Sequence, residues 1–139
     1  MAILNDGFST IIAFALDTAV QFKEKEVTPP GMDAGGAIDL TTMQNTTYRT
    51  MAPKSLITLT ESSLLVSYDP ALYNEIIAMI GKNQAITITW PDATTLVFFG
   101  WINEFTPNAN VEGEQPTAAI TIVPSNVDGA GAEIAPVQA

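Results

Sequence analysis

The chain has 139 residues, 47% of them hydrophobic, with 15 acidic side chains against 5 basic ones and a formal net charge of −10. It holds no histidine and no cysteine, which excludes zinc sites of the usual kind, disulfide frameworks, thiol nucleophiles and Ser-His-Asp triads. One domain of this length buries roughly two-thirds of its unfolded surface, and acidity this strong makes a poor grip on phosphate backbones.

Short runs of Thr, Ile and Val punctuated by Pro and Gly predict a mainly β protein. Residues 8–16 form a first apolar run, and its most apolar part, 11–16, is too short to span a bilayer. No basic region precedes it and no cleavage-like site follows, so no signal peptide or membrane anchor is expected, and folding is expected in the cytoplasm. After a turn at Asp17-Thr18, residues 19–27 form a second strand. Strict alternation would put Lys23 and Lys25 on one face and Glu24 and Glu26 on the other, as a solvated strand end or a subunit contact.

Residues 28–36 carry two prolines and three glycines, which predicts irregular backbone. A short strand at 37–40 follows. Residues 41–55 are polar, with Met43, Tyr48 and Met51 set among Thr, Asn and Gln. A connection this long is often functional, and Met and Tyr cover area with little charge. They serve either a protein contact or the chain's own core. Residues 56–68 read as a strand pair or one bent strand.

One helix is expected over about 69–80. Asp69 can cap it, Pro70 takes the first position, Gly81 supplies the stop, and Leu72, Ile76, Met79 and Ile80 recur at helical spacing. A hairpin comes next: Ile86, Ile88 and Trp90 share one face of 85–90, Pro91-Asp92-Ala93 turns, and 96–102 returns. That return strand is apolar on both faces, with Leu96, Phe98 and Ile102 against Val97, Phe99 and Trp101. Such a strand needs a layer on each side. A polar loop over 104–116 leads to the last strand at 117–123, where Ala118, Ile120 and Ile122 alternate with Thr117, Ala119 and Thr121. The tail from 124 is small, Gly/Ala-rich and acidic, the composition of a disordered end or an arm. The predicted core is Leu72, Ile76, Ile80, Ile86, Ile88, Trp90, Phe98, Ile120 and Ile122.

Chemistry-bearing constellations are sparse. Glu112 and Glu114 have no partner base or nucleophile beside them. Asp33 and Asp39 match no calcium loop. Gly35-Gly36 lacks the strand–glycine–helix context of a phosphate cradle. No catalytic, metal or cofactor-binding residue is expected, and the chain does not read as an enzyme.

The order of segments is distinctive. Ile38-Asp39-Leu40-Thr41-Thr42-Met43, then Tyr48-Arg49-Thr50 and Pro53-Lys54-Ser55-Leu56, precede Tyr68-Asp69-Pro70 at the helix start. Ile86-Thr87-Ile88-Thr89-Trp90-Pro91-Asp92, Phe99-Gly100, Phe105-Thr106-Pro107 and Glu112-Gly113-Glu114-Gln115-Pro116 follow. From about residue 10 to 128 this succession resembles the major tail tube proteins of long-tailed, siphovirus-type bacteriophages. One departure stands in the hairpin turn, where Ala93 occupies the position of an expected glycine.

The resemblance implies a tail-tube-type β-sandwich or barrel with one flanking helix, assembled as six-fold rings stacked into a hollow tube. It implies an N-terminal arm at 1–9, a long inter-ring loop at 41–55 with contacts from Thr42, Met43, Tyr48, Arg49 and Met51, and a C-terminal arm at 124–139. Neighbouring subunits would cover the second face of the 96–102 strand. Implied partners are further copies of itself, a tape-measure protein, a tail terminator and baseplate or tail-tip proteins, in a virion assembled in the host cytoplasm. Double-stranded DNA would pass through without specific binding. DNA carries one negative charge per ~1.7 Å of axis, and six copies would give roughly −60 per ring, so inward-facing acids would keep the genome sliding. Glu24, Glu26 and Glu104 are the candidates for the bore. Rival readings are a tail terminator, a contractile-system inner tube, a capsid decoration protein or a small-ligand binding β domain.

Overall fold

The computed structural model describes residues 10–16 and 24–139. The expected arm at 1–9, the Asp17-Thr18 turn and Lys23 lie outside the described residues. The fold is mainly β, with one antiparallel sheet wrapped around the core and one short α-helix among the described residues.

Strands are numbered along the chain. The sheet runs in the order β1 (Ile11–Phe14), β8 (Gln84–Thr89), β9 (Thr95–Pro107), β10 (Thr117–Pro124), β7 (Ser62–Ser67) and β2 (Glu24–Thr28). The register lines up one apolar face. Ile12 sits opposite Ile88, Phe14 opposite Ile86, Ile86 opposite Phe98, and Ile120 opposite Leu64. All of these are buried, together with Val66, Ile102, Ala118 and Ile122. Each large side chain so covered contributes about 1.5–3 kcal/mol, which fixes the register, since a one-residue slip would turn the whole set outward. Leu72 and Trp90 are half-buried against this cluster.

The helix forms where its caps predict and ends one residue early. The Asp69 carboxylate accepts from the Ala71 N–H at 3.0 Å. A 3-10 turn, Pro70–Leu72, leads into α1 (Tyr73–Met79), whose Ile76 and Met79 are buried in the core. Ile80 corrects the predicted core. Its backbone is extended (φ −60, ψ 131), it bridges to Ile102 as a strand residue, and its side chain is exposed. Periodicity counted it as helical, but the chain has already left the helix.

Three strands also depart from expectation. β9 continues to Pro107 because β10 keeps pairing with it, so Glu104 lies on a strand and the polar loop begins only at 108. In β2 a register shift sets Glu24 opposite Val66 but Glu26 opposite its neighbour Leu65. The two glutamates therefore face opposite sides of the sheet, which corrects the alternation expected for them. The bulge at Lys25 supplies the extra residue. Residues 126–136 form a closed loop, bridged between Val127 and Glu133, after which β11 (Val137–Gln138) pairs with Val97 and Leu96 of β9. The tail thus resumes along β9 the line that β10 left, and strand pairing orders it despite its composition.

Gly100 stands at the point where β9 is shared, opposite Gln84 of β8 and Pro124 of β10. A Cβ there would lie 2.6 Å from the Val123 carbonyl oxygen, so glycine alone permits this approach.

Candidate functional site

Three surfaces remain after the core is accounted for. One is a long arm. Beyond the β2–β7 pair, β3 (Met32–Asp33) pairs with β6 (Thr58–Leu59), and β4 (Ala37–Asp39) pairs with β5 (Met51–Pro53). Residues 28–36 and 41–55, expected as irregular backbone and loop, are parts of one hairpin running out from Thr28 and returning at Ser62. Thr60 N–H to Gly31 C=O adds a rung between the β2–β7 and β3–β6 pairs, and Leu40 N–H to Thr50 C=O extends the β4–β5 ladder toward the tip.

The arm's tip is held by Asn45, a residue that composition did not single out. Its amide donates to the Tyr48 carbonyl and the Thr50 hydroxyl, both at 2.8 Å, and its oxygen accepts from the Thr42 N–H at 3.0 Å. An Asx-type turn carries this signal, and Thr-x-x-Asn at a hairpin tip is where to look for it. The scaffold displays apolar side chains outward. Met43 is fully exposed and Tyr48 81% exposed, with Met51, Leu56, Ile57, Met32 and Leu40 also at the surface. Arg49 donates to Asp39 at 3.2 Å, with both side chains exposed. Hydrogen bonds from Thr41 hold the Asp39 carboxyl below its ordinary value, with a further contribution from Arg49.

The second surface is the sheet face turned away from the core. Val97, Phe99 and Trp101 of β9 lie there, outside the core cluster and half-buried. By register they share it with Thr87 and Ala85 of β8 and Val123 of β10. Glu104, opposite Thr121, and Glu26, opposite Leu65, stand on the same face. Glu24 does not: it is on the core side, with its carboxylate engaged.

That engagement marks the third surface, the two edges of the sheet. The path begins at β1 and ends at β2, and Glu24 Oε1 accepts from the Ile12 N–H across the gap at 3.2 Å. Half-burial pushes the Glu24 carboxyl above its ordinary value, while hydrogen bonds from its own backbone and from Ile12 pull the other way.

Glu112 and Glu114 occupy an exposed turn. Asp33 accepts from the Gly35 N–H at 2.7 Å. Among the described residues no group of three or more acidic side chains converges as a metal site, and no helix is long and apolar enough to cross a membrane.

The sequence matches no protein-family model and no curated protein. The fold, however, is similar to chains of known particles. One belongs to the virion of a native gene transfer agent particle, with TM-score 0.63 and 14% identity over 88% of this chain and 95% of that one. Another belongs to the anti-feeding prophage baseplate, solved with 6-fold symmetrisation, with TM-score 0.64 and 6% identity over 94% and 90% of the two chains. A third comes from the PVC sheath-tube complex, an extracellular contractile injection system in its extended state, with TM-score 0.64 and 14% identity over 94% and 87%. Over most of its length the chain therefore shares its fold with chains of a gene transfer agent virion, a prophage baseplate and a contractile injection system.

Proposed function

We propose that this chain is a non-enzymatic structural subunit of a phage tail tube, assembled as rings of six stacked into a hollow conduit for the genome. The observation that carries the reading is the arm. Its apolar side chains have no cover within the described chain, and a hairpin held rigid at its tip by Asn45 is built for contact rather than for wrapping its own core. Val97, Phe99 and Trp101 lie half-buried on the sheet face turned away from the core. Glu26 and Glu104 share that face and are the acids we assign to the bore; Glu24, on the core side, is withdrawn from it. The partners of such a subunit are further copies, a tape-measure protein, a terminator and a baseplate or tip, inside a virion.

A second reading is the inner tube of a contractile machine. It is favoured by the likeness to a chain from a contractile sheath-tube complex, and a sheath around the native tube would select it. Electron microscopy of the purified protein tests both against the rest. Long hollow tubes are expected, and deletion of residues 42–52 should leave folded subunits that no longer polymerise. Single closed rings would point to a terminator, and tubes of normal length from the deletion variant would overturn the role of the arm.

A further inference from the structure

One edge of β9 changes its cover along its length. β10 pairs with it from Pro107 back to Gly100 and ends at Pro124. The Ser125 N–H makes the last contact, to the Phe99 carbonyl at 2.8 Å. β8 holds the other edge of the same stretch, from Thr95 to Gly100. From Thr95 to Phe98 the first edge is left to β11. Val137 and Gln138 pair with Val97 and Leu96, and Ala139 exchanges both backbone hydrogen bonds with Thr95, at 2.8 and 3.0 Å.

That stretch is a hazard if bare. Residues 93–103 contain no charged side chain and no proline, and Thr95-Leu96-Val97-Phe98-Phe99 are all strand formers. An open edge of this composition is a template on which another chain can add as a strand. The net charge of −10 does not guard it, since the nearest charges along the chain are Asp92 and Glu104.

β11 itself buries little. Val137 is 55% exposed, and Gln138 and Ala139 are exposed as well, so its removal opens no core. Main-chain bonds hold it, and those bonds are indifferent to side-chain identity, so another extended segment can replace them. The tail's advantage is its tether. Val127 bridges to Glu133, the Ile134 N–H donates to the Asn126 carbonyl at 2.9 Å, and the Asp128 carboxylate accepts from the Ala130 and Ala132 N–H groups, both at 2.9 Å. Asn83, just ahead of β8, roots this loop: its amide donates to the Val127 carbonyl at 2.7 Å, and its oxygen accepts from the Ser125 hydroxyl at 2.6 Å. A loop anchored in this way returns the tail to β9 at high effective concentration.

We propose that β11 is a removable cover over a strand-addition site at Thr95–Phe98, and that the partner it shuts out is a second copy of this chain. Cover and copy compete for the same backbone groups. With the cover in place, folded subunits stay apart at this edge; without it they add to one another there. The inference goes beyond the tube reading and does not rest on it.

Deletion of residues 137–139 tests the cover. The shortened chain should keep its urea midpoint, because the lost residues are exposed, yet associate at a concentration roughly tenfold below that of the full chain in sedimentation. Amide exchange locates the contact. The Thr95 N–H points at the tail, and by strand alternation so does that of Val97. Both should exchange fast in the shortened monomer and slowly once it associates. An unchanged threshold, or association that leaves these two amides fast, would overturn the proposal. Val97→Lys in the shortened chain puts a charge on the open edge and should return the threshold to that of the full chain; continued association would also overturn it. Failure of the full chain to form tubes would count against the tube reading alone.

Discussion

At Ala93 a single methyl group meets a turn that asks for none. The Ala93 N–H donates to the Trp90 carbonyl at 3.0 Å and the Trp90 N–H to the Thr94 carbonyl at 2.9 Å, a tight hairpin whose last turn residue must be left-handed. Ala93 has φ 70, a region that costs an alanine about 1 kcal/mol or more and a glycine nothing. Asp92 helps to hold it there: its carboxylate accepts from the Thr94 hydroxyl at 2.6 Å and N–H at 3.1 Å, and these bonds keep its carboxyl below the ordinary value. Ala93→Gly should therefore stabilise the chain by up to about 1 kcal/mol, the relief of strain exceeding the entropy that glycine adds to the unfolded state. Urea unfolding measures it, and a less stable variant would refute the account. The glycine expected at this turn was a statement about geometry, and the geometry is kept although the residue is not. Ile80 shows the opposite case. Its spacing is helical, but where a helix stops is decided by tertiary pairing, here with Ile102, which periodicity does not register.

Elements were legible where local chemistry specifies them. Asp69, Pro70 and Gly81 bracket the helix, and the alternation of Ile86 with Ile88 and of Ala118, Ile120 and Ile122 marks buried faces. Pairing with distant partners was not legible. β9 runs on to Pro107 because β10 lies beside it, and β11 forms because β9 offers an open stretch at Leu96 and Val97. The arm looked like loop because its strand pairs are two or three residues long and bury little. The bulge at Lys25 had the largest consequence, since it turned Glu24 inward to join the two edge strands. That carboxyl titrates above its unfolded value, so its contribution to stability is complete in acid and is lost as pH rises through the raised value. At neutral pH the fold bears the cost of a half-buried charge. Glutamine would keep an acceptor for the Ile12 N–H without that charge. Glu24→Gln should thus be more stable at about pH 7 by a few tenths of a kcal/mol, allowing for solvent screening, and indistinguishable at about pH 3.5. Denaturant midpoints at the two pH values test it, and a destabilised variant at neutral pH would show that the ion holds the edges better than the amide.

For the whole molecule, the charge that counted against nucleic-acid binding becomes a property of the assembly. All five basic residues lie at or before Lys82, and residues 83–139 hold six acids and no base. In the proposed tube the face bearing Glu26 and Glu104 turns to the bore, where low-dielectric walls strengthen a field of one sign. A conduit lined this way repels its cargo at every step, and repulsion that is uniform along the axis adds no wells in which the cargo could lodge. Replacing both acids by lysine, Glu26→Lys with Glu104→Lys, changes the charge by roughly 24 per ring of six. Both side chains are exposed and neither joins the core, so tubes should still form. Genome release should slow or stop, because each lysine adds a counterion-releasing contact to a phosphate. Raising the salt should restore release, since the screening length falls from about 8 Å at physiological ionic strength to about 3 Å at 1 M. Unchanged release from intact tubes would mean that this face does not line the bore, and a block insensitive to salt would mean that the lysines obstruct by bulk and not by charge.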